Sequence, residues 1–180
     1  MPDREIVLRG AGALRRHAAR VRMFLPADAG IFAADEMLQD VVGFNLMLAI
    51  DGAIDLAREL GGAHGFEPRT HREVFLDLAA EGIIDRDLAE RLAQAAELRQ
   101  RLKHAHSGFD WLSVHAEAPH HLESLTRFVT VLMEHAEAPA LHQEEKQPET
   151  GDWQQTPPGL RPTTGDEDRG AVGFRPESPA

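Results

Sequence analysis

The sequence predicts an all-α protein, an up-and-down bundle of four to five helices with a disordered C-terminal tail. Three observations carry this prediction. Apolar residues recur at intervals of three and four, and no alternating strand pattern is present. Aspartates stand where such segments begin, and glycines or prolines where they end. The connections between segments are short, which favours antiparallel neighbours.

The first helix opens at Asp3, a capping residue, and carries Ile6, Leu14, Val21 and Leu25 as its apolar face; residues 26–30, from Pro26 to Gly30, end it. The second runs from about Ile31 to Leu60 and stops at Gly61-Gly62. Its middle is apolar on two sides, with Leu38, Val41 and Leu48 on one and Val42, Leu46, Ala49 and Ala53 on the other. A helix wetted on one side needs only one such stripe. Two stripes imply that the helix packs in the bundle and also against a second copy of the chain, a homodimer. Pro68 leads into a short third helix, THREVFLDLAAEG, closed by Gly82. Asp85 caps a fourth helix from Arg86. After a break at Ser107-Gly108, Asp110 caps a fifth, carrying Leu122, Leu125, Val129 and Leu132, and Pro119 is expected to kink or interrupt it.

Composition changes at residue 138. Residues 138–180 hold seven of the eleven prolines and five of the fifteen glycines, without apolar periodicity. Such a segment cannot bury enough surface to offset its chain entropy, so the helical domain spans 1–137 and the tail is read as disordered. Trp153 and Phe174 are isolated aromatics within it.

The chain has 180 residues and a formal net charge of −11. That excess argues against a general polyanion binder, so any nucleic-acid contact must come from a local basic patch. With no cysteine, disulfides and thiolate metal sites are ruled out. The N-terminus MPDREIVLRG has no apolar signal-peptide core, and the run VVGFNLMLAI (41–50) is too short to span a bilayer. A cytoplasmic protein without a membrane partner is expected.

One stretch runs against the charge balance. Residues 97–106, ELRQRLKHAH, place Arg99, Arg101 and Lys103 together with His104 and His106, with no acid between Arg99 and His106. On a wheel of about 100° per residue with Leu88 at zero, Arg99 falls at about 20°, inside the stripe of Leu92, Ala95 and Leu102. Gln100 and His104, four apart, share a neighbouring flank. An arginine on an apolar face is rarely left unpaired. It can snorkel past the helix end or pair with Asp51 or Asp55; alternatively the face opens into a cleft where Arg99 meets a ligand. Its planar fork suits phosphate. A guanidinium beside an imidazole is also what metal-free cleavage of a ribose-phosphate chain needs. The imidazole moves protons between the 2′-hydroxyl and the leaving oxygen, and the cation stabilises charge on the phosphoryl oxygens. DNA lacks that hydroxyl. A metal site among His104, His106, His115, His120 and His121 is less favoured, because histidines one or two apart on a helix diverge.

The pattern Arg99-Gln100-x-x-x-His104-x-His106 resembles the R-N-x-x-x-H-x-Y signature of the HepT-like toxins of the HEPN superfamily. The likeness extends over roughly residues 3–136: PDREIVLR is similar to that family's opening helix, and FEPRTHREVFLDLAAEGIIDRDLAERLAQAAELR to its central segment. The resemblance implies a helical homodimer in which two R-x4-H motifs meet in one RNA-cleaving cleft. It implies cleavage without metal or cofactor. It also implies a partner, a cognate minimal nucleotidyltransferase antitoxin, which in some systems silences the toxin by transferring AMP to the motif tyrosine. Carried over by position, Arg99 and His104 would be catalytic, with Gln100, Arg101, Lys103 and His106 binding RNA or supporting them.

Two positions depart from the signature. Gln100 is one methylene longer than asparagine. His106 replaces the tyrosine, and the chain has no tyrosine at all, so the usual AMP acceptor is missing. These departures favour the alternative of a catalytically impaired bundle that binds a nucleotidyltransferase, a nucleotide or a substrate. His71 stands where relatives often carry tyrosine, and the sequence offers no physical reason for it.

Overall fold

The computed structural model describes residues 4–66, 70–105 and 108–137. Among these residues the architecture is all-α, with six helices: α1 (Arg4–Phe24), α2 (Ala29–Ala34), α3 (Glu36–Ala63), α4 (Glu73–Ala80), α5 (Arg86–Lys103) and α6 (Trp111–Glu137). Asp3, Pro68, His106, Ser107 and the tail 138–180 lie outside the described residues.

The expected four to five helices become six because the long second helix is divided. Asp28 accepts hydrogen bonds from the backbone of Gly30 and Ile31 and starts α2. Asp35, in an extended conformation, ends α2 and accepts from Leu38 N to start α3. Gln39 then donates its side-chain amide to the carbonyls of Phe32 and Ala33, groups that a continuous helix would have satisfied internally.

The end of α3 also differs from expectation. It continues through Gly61-Gly62 and stops at Gly65, whose φ of 81° supplies the left-handed turn. Phe66 N reaches Gly61 O and Gly65 N reaches Gly62 O, the paired bonds of a Schellman cap. Gly82, at φ 72°, closes α4 with the same pair of bonds. At the other end of that segment, Thr70 and Glu73 exchange side-chain-to-backbone bonds in a capping box. Asp85 and Asp110 cap α5 and α6 as expected. Pro119 does not interrupt α6. It sits on the exposed side, where solvent can reach the carbonyl its ring leaves without a donor.

Helix α3 is central and packs against all five others. It runs antiparallel to α1: Gly10 lies against Leu56, Leu14 beside Gly52, and His17 Nδ1 3.0 Å from Asn45 Oδ1. The buried face of α1 is Val7, Ala11, Leu14, Ala18 and Val21; Ile6, expected in the core, is 42% exposed because Val7 takes the inward position. Phe75 of α4 and Phe128 of α6 meet edge to face, and Phe32 of α2 does the same with Trp111. By length and composition α3 could cross a membrane, but half of its apolar window is buried within this bundle, as befits a core helix.

The two apolar sides of α3 have different fates. Val42, Leu46, Ala49 and Ala53 are fully buried. Val41 and Leu48 are only half-buried, on a stripe continued by Met37 at 68% and Phe44 at 58% exposure. At the usual helical pitch, Asp51 and Asp55 prolong that stripe toward the end of α3.

Candidate active site at the end of the fifth helix

Helix α5 buries Leu88, Leu92, Ala95, Leu98 and Leu102, and Arg99 lies among them with only 16% of its side chain exposed. Of the alternatives that the sequence left open, the ion pair is realised. Arg99 Nε donates to Asp51 Oδ1 of α3, and Asp55 is not the partner. A guanidinium has further donors on its outer nitrogens. No described residue accepts from them, and no buried side-chain nitrogen or oxygen lacks a partner, so they reach solvent. Asp51 thus holds the inner edge of the fork and leaves the outer edge to face a ligand.

Helix α5 ends at Lys103. His104 is its C-cap, with its backbone N–H on the carbonyls of Arg101 and Leu102 and its ring exposed. Gln100 Nε2 lies 3.2 Å from His104 Nε2. The contact couples the imidazole to the Gln100 amide one turn earlier on the helix. Gln100 therefore orients the ring, as their spacing suggested.

The remaining cations of the motif diverge. Arg101 emerges on the far side of α5 from Arg99 and donates to Ser113 Oγ, at 3.2 Å, and to Glu117 on α6. Lys103 is exposed and forms no ion pair among the described residues. His106 falls outside the described residues. Gln100 and His104 are thus joined by their contact, Arg99 faces α3 about 100° round α5 from Gln100, and Arg101 lines a groove of about 650 Å³ between α5 and α6. In that groove burial pushes the His121 imidazole below its ordinary value, assisted by Arg101 and His120 and opposed by Glu117. Burial alone would raise the Glu117 carboxyl, but hydrogen bonds from Ser113 and Arg101 prevail and lower it.

His71 joins the surroundings of Arg99. Burial lowers its imidazole pKa, as do the neighbouring Arg58 and Arg99, while Asp51 and Asp55 act the other way. The ring is thereby kept neutral near pH 7. Sequence reasoning noted His71 without connecting it to Arg99, and it missed Arg58. The available signal was the run Asp51, Asp55, Arg58 at helical spacing on α3. The histidines weighed as metal ligands are apart in role: His115 Nε2 is 2.7 Å from Pro26 O, and His121 faces Glu117. Among the described residues no three His, Asp or Glu side chains converge as a metal would require.

The all-α bundle and the sequence that builds it place this protein in a class of toxin-like ribonucleases. Residues 14–132 match the family described as ribonuclease HepT-like, and the chain belongs to that family. Solved structures agree. A toxin-antitoxin complex with AMP-PNP is 25% identical with a TM-score of 0.67, over 72% of this chain and 98% of that one. A tri-AMPylated Shewanella oneidensis HEPN toxin in complex with MNT antitoxin is 26% identical with a TM-score of 0.66, over 74% and 99%. A variant of the MntA-HpeT toxin-antitoxin is 25% identical with a TM-score of 0.64, over 72% and 98%. No curated protein matches significantly.

Proposed function

We propose that this protein is a cytoplasmic, homodimeric, metal-independent endoribonuclease, the toxin of a pair whose antitoxin is a minimal nucleotidyltransferase. The observation that carries the reading is the position of Arg99. Its outer nitrogens reach solvent next to Asp51, on the helix whose outward stripe of Met37, Val41, Phe44 and Leu48 is apolar and uncovered. A second copy docked on that stripe would cover it and bring two Arg99–His104 edges to one cleft. There an RNA 2′-hydroxyl attacks the adjacent phosphorus while His104 of one protomer accepts its proton. The bond to the 5′-oxygen breaks, and the partner's imidazole, protonated, donates to that oxygen. The products are a 2′,3′-cyclic phosphate and a 5′-hydroxyl. Arg99 stabilises the extra charge on the non-bridging oxygens. Gln100 orients His104, and Lys103 adds attraction for the strand.

The second reading is a bundle that binds a nucleotidyltransferase or nucleotide without cutting. The Gln100–His104 contact favours it, because it occupies the ring nitrogen that general-base chemistry needs. Expression without a partner separates the two. A ribonuclease arrests growth, yields cyclic-phosphate ends unaffected by EDTA, and loses both properties in Arg99→Ala and His104→Ala. Harmless expression together with intact RNA would leave the binding reading.

A further inference from the structure

Helix α1 has a charge pattern unlike the rest of the fold. It carries six arginines, Arg4, Arg9, Arg15, Arg16, Arg20 and Arg22, and one acid, Glu5, within a chain of net charge −11. All six are exposed. Elsewhere, six of the seven described arginines are ion-paired: Arg72, Arg86, Arg91, Arg99, Arg101 and Arg127. On α1 only Arg9 is, with Glu5 one turn away. Arg22 uses its guanidinium on Thr126 Oγ1 at 2.9 Å. Arg15, Arg16 and Arg20 have no carboxylate within ion-pair distance among the described residues. Among the described residues nearly every other arginine is thus neutralised, and this face is left charged.

The face is also ordered in space. Arg9, Arg16 and Arg20 follow the spacing i, i+7, i+11, which aligns them on one row opposite the buried Val7, Leu14 and Val21. At the helical rise the row extends over about 16 Å, long enough to meet successive phosphates of one strand. Arg15 flanks it. Each guanidinium can donate two parallel bonds to a phosphate, and an unpaired one has no internal bond to break first. Helix α1 lies along α3, the helix that also holds Asp51 against Arg99, so the row and the candidate active site are carried by the same core.

We propose that the outward face of α1, through Arg15, Arg16 and Arg20, is an RNA-backbone binding surface outside the cleavage site. It rests on the reading of RNA as the substrate and supplies that substrate with a second contact, blind to sequence. The overall negative charge repels polyanions, so this strip and the Arg99 edge together decide where a strand can lie.

The test uses the full chain and a fluorescent single-stranded RNA with 2′-O-methyl riboses, which cannot be cleaved, so that binding is read independently of catalysis. Binding is titrated over a range of salt for wild type, for Arg15→Gln/Arg16→Gln/Arg20→Gln, and for the corresponding triple lysine variant. The expected result is at least a tenfold loss of affinity at low salt in the glutamine variant. The slope of log affinity against log salt should shrink by about 2, since each phosphate that is no longer neutralised removes about 0.7. The lysine variant should keep the wild-type slope. Circular dichroism melting checks that the fold is retained. Unchanged affinity and slope in the glutamine variant would overturn the proposal, as would wild type that does not bind the RNA. So would a variant that keeps RNA binding but no longer associates with a nucleotidyltransferase, since the face would then belong to a protein. Failure of cleavage alone, with the binding differences intact, would count against the nuclease reading and leave this surface standing.

Discussion

Arg99 and Asp51 are the pair on which the candidate site depends. Asp51 is 32% exposed and Arg99 half that, so the pair is neither a solvated surface contact nor fully desolvated. Removing Asp51 strands a largely buried cation. Asp51→Asn is expected to lower stability by about 1–2 kcal/mol, less than for a fully buried pair because solvent still screens it. Adding Arg99→Met to Asp51→Asn should recover part of that loss in urea unfolding, since no orphaned charge remains. His121 makes a pH-dependent contribution. Its folded pKa lies below the unfolded value of 6.5, so the unfolded chain binds the extra proton, and stability falls as pH drops through and below that value. Thermal melts of wild type should therefore decline from pH 7.5 to pH 5, and His121→Gln should flatten that decline. The Gln100–His104 contact was legible because their spacing of four is set by one helix. The engagement of Arg101 with Glu117 was not, because it depends on which side of α5 receives α6.

At the scale of the element, glycine has opposite roles on either side of a helix end. Gly65 terminates α3 with a left-handed φ that an L side chain adopts only under strain, whereas Gly62, two residues inside the cap, faces open space. Gly65→Ala is expected to lower stability by about 1 kcal/mol, and Gly62→Ala to raise it by about 0.5–1 kcal/mol by restricting the unfolded chain. A pair of melting curves with shifts of opposite sign would bear this out; shifts of one sign would contradict it. Caps by Asp85 and Asp110 could be read directly, since a capping aspartate acts within three residues of itself. The division at Asp35 could not be read from apolar periodicity, which continues across the break almost unchanged. The signals were Asp28 and Asp35 themselves and Gln39, whose side chain can replace the missing backbone donors.

At the scale of the molecule, the uncovered stripe on α3 carries the proposed dimer. Phe44→Glu places a charge at its centre while leaving the buried side of α3 intact. Sedimentation should then report a monomer with wild-type helicity and no RNA cleavage; a cleaving monomer would separate the site from the interface. Removal of residues 138–180 is expected to leave the melting transition of the bundle in place, as their composition argues against a share in the core. A large loss of cooperativity on truncation would contradict that.

Local chemistry determined much about this protein before any folding was considered: that it is helical, where most of its helices begin, and that one helix carries a guanidinium and an imidazole five residues apart. Those properties depend on neighbours within a turn or two. Tertiary structure decided what local spacing cannot specify. It chose Asp51 over Asp55 as the partner of Arg99, turned Arg101 toward α6, brought His71 within electrostatic reach of Arg99, and left the face of α1 charged while nearly every other described arginine was paired. Each of these turns on groups far apart in the chain, whose approach is fixed only when the helices pack.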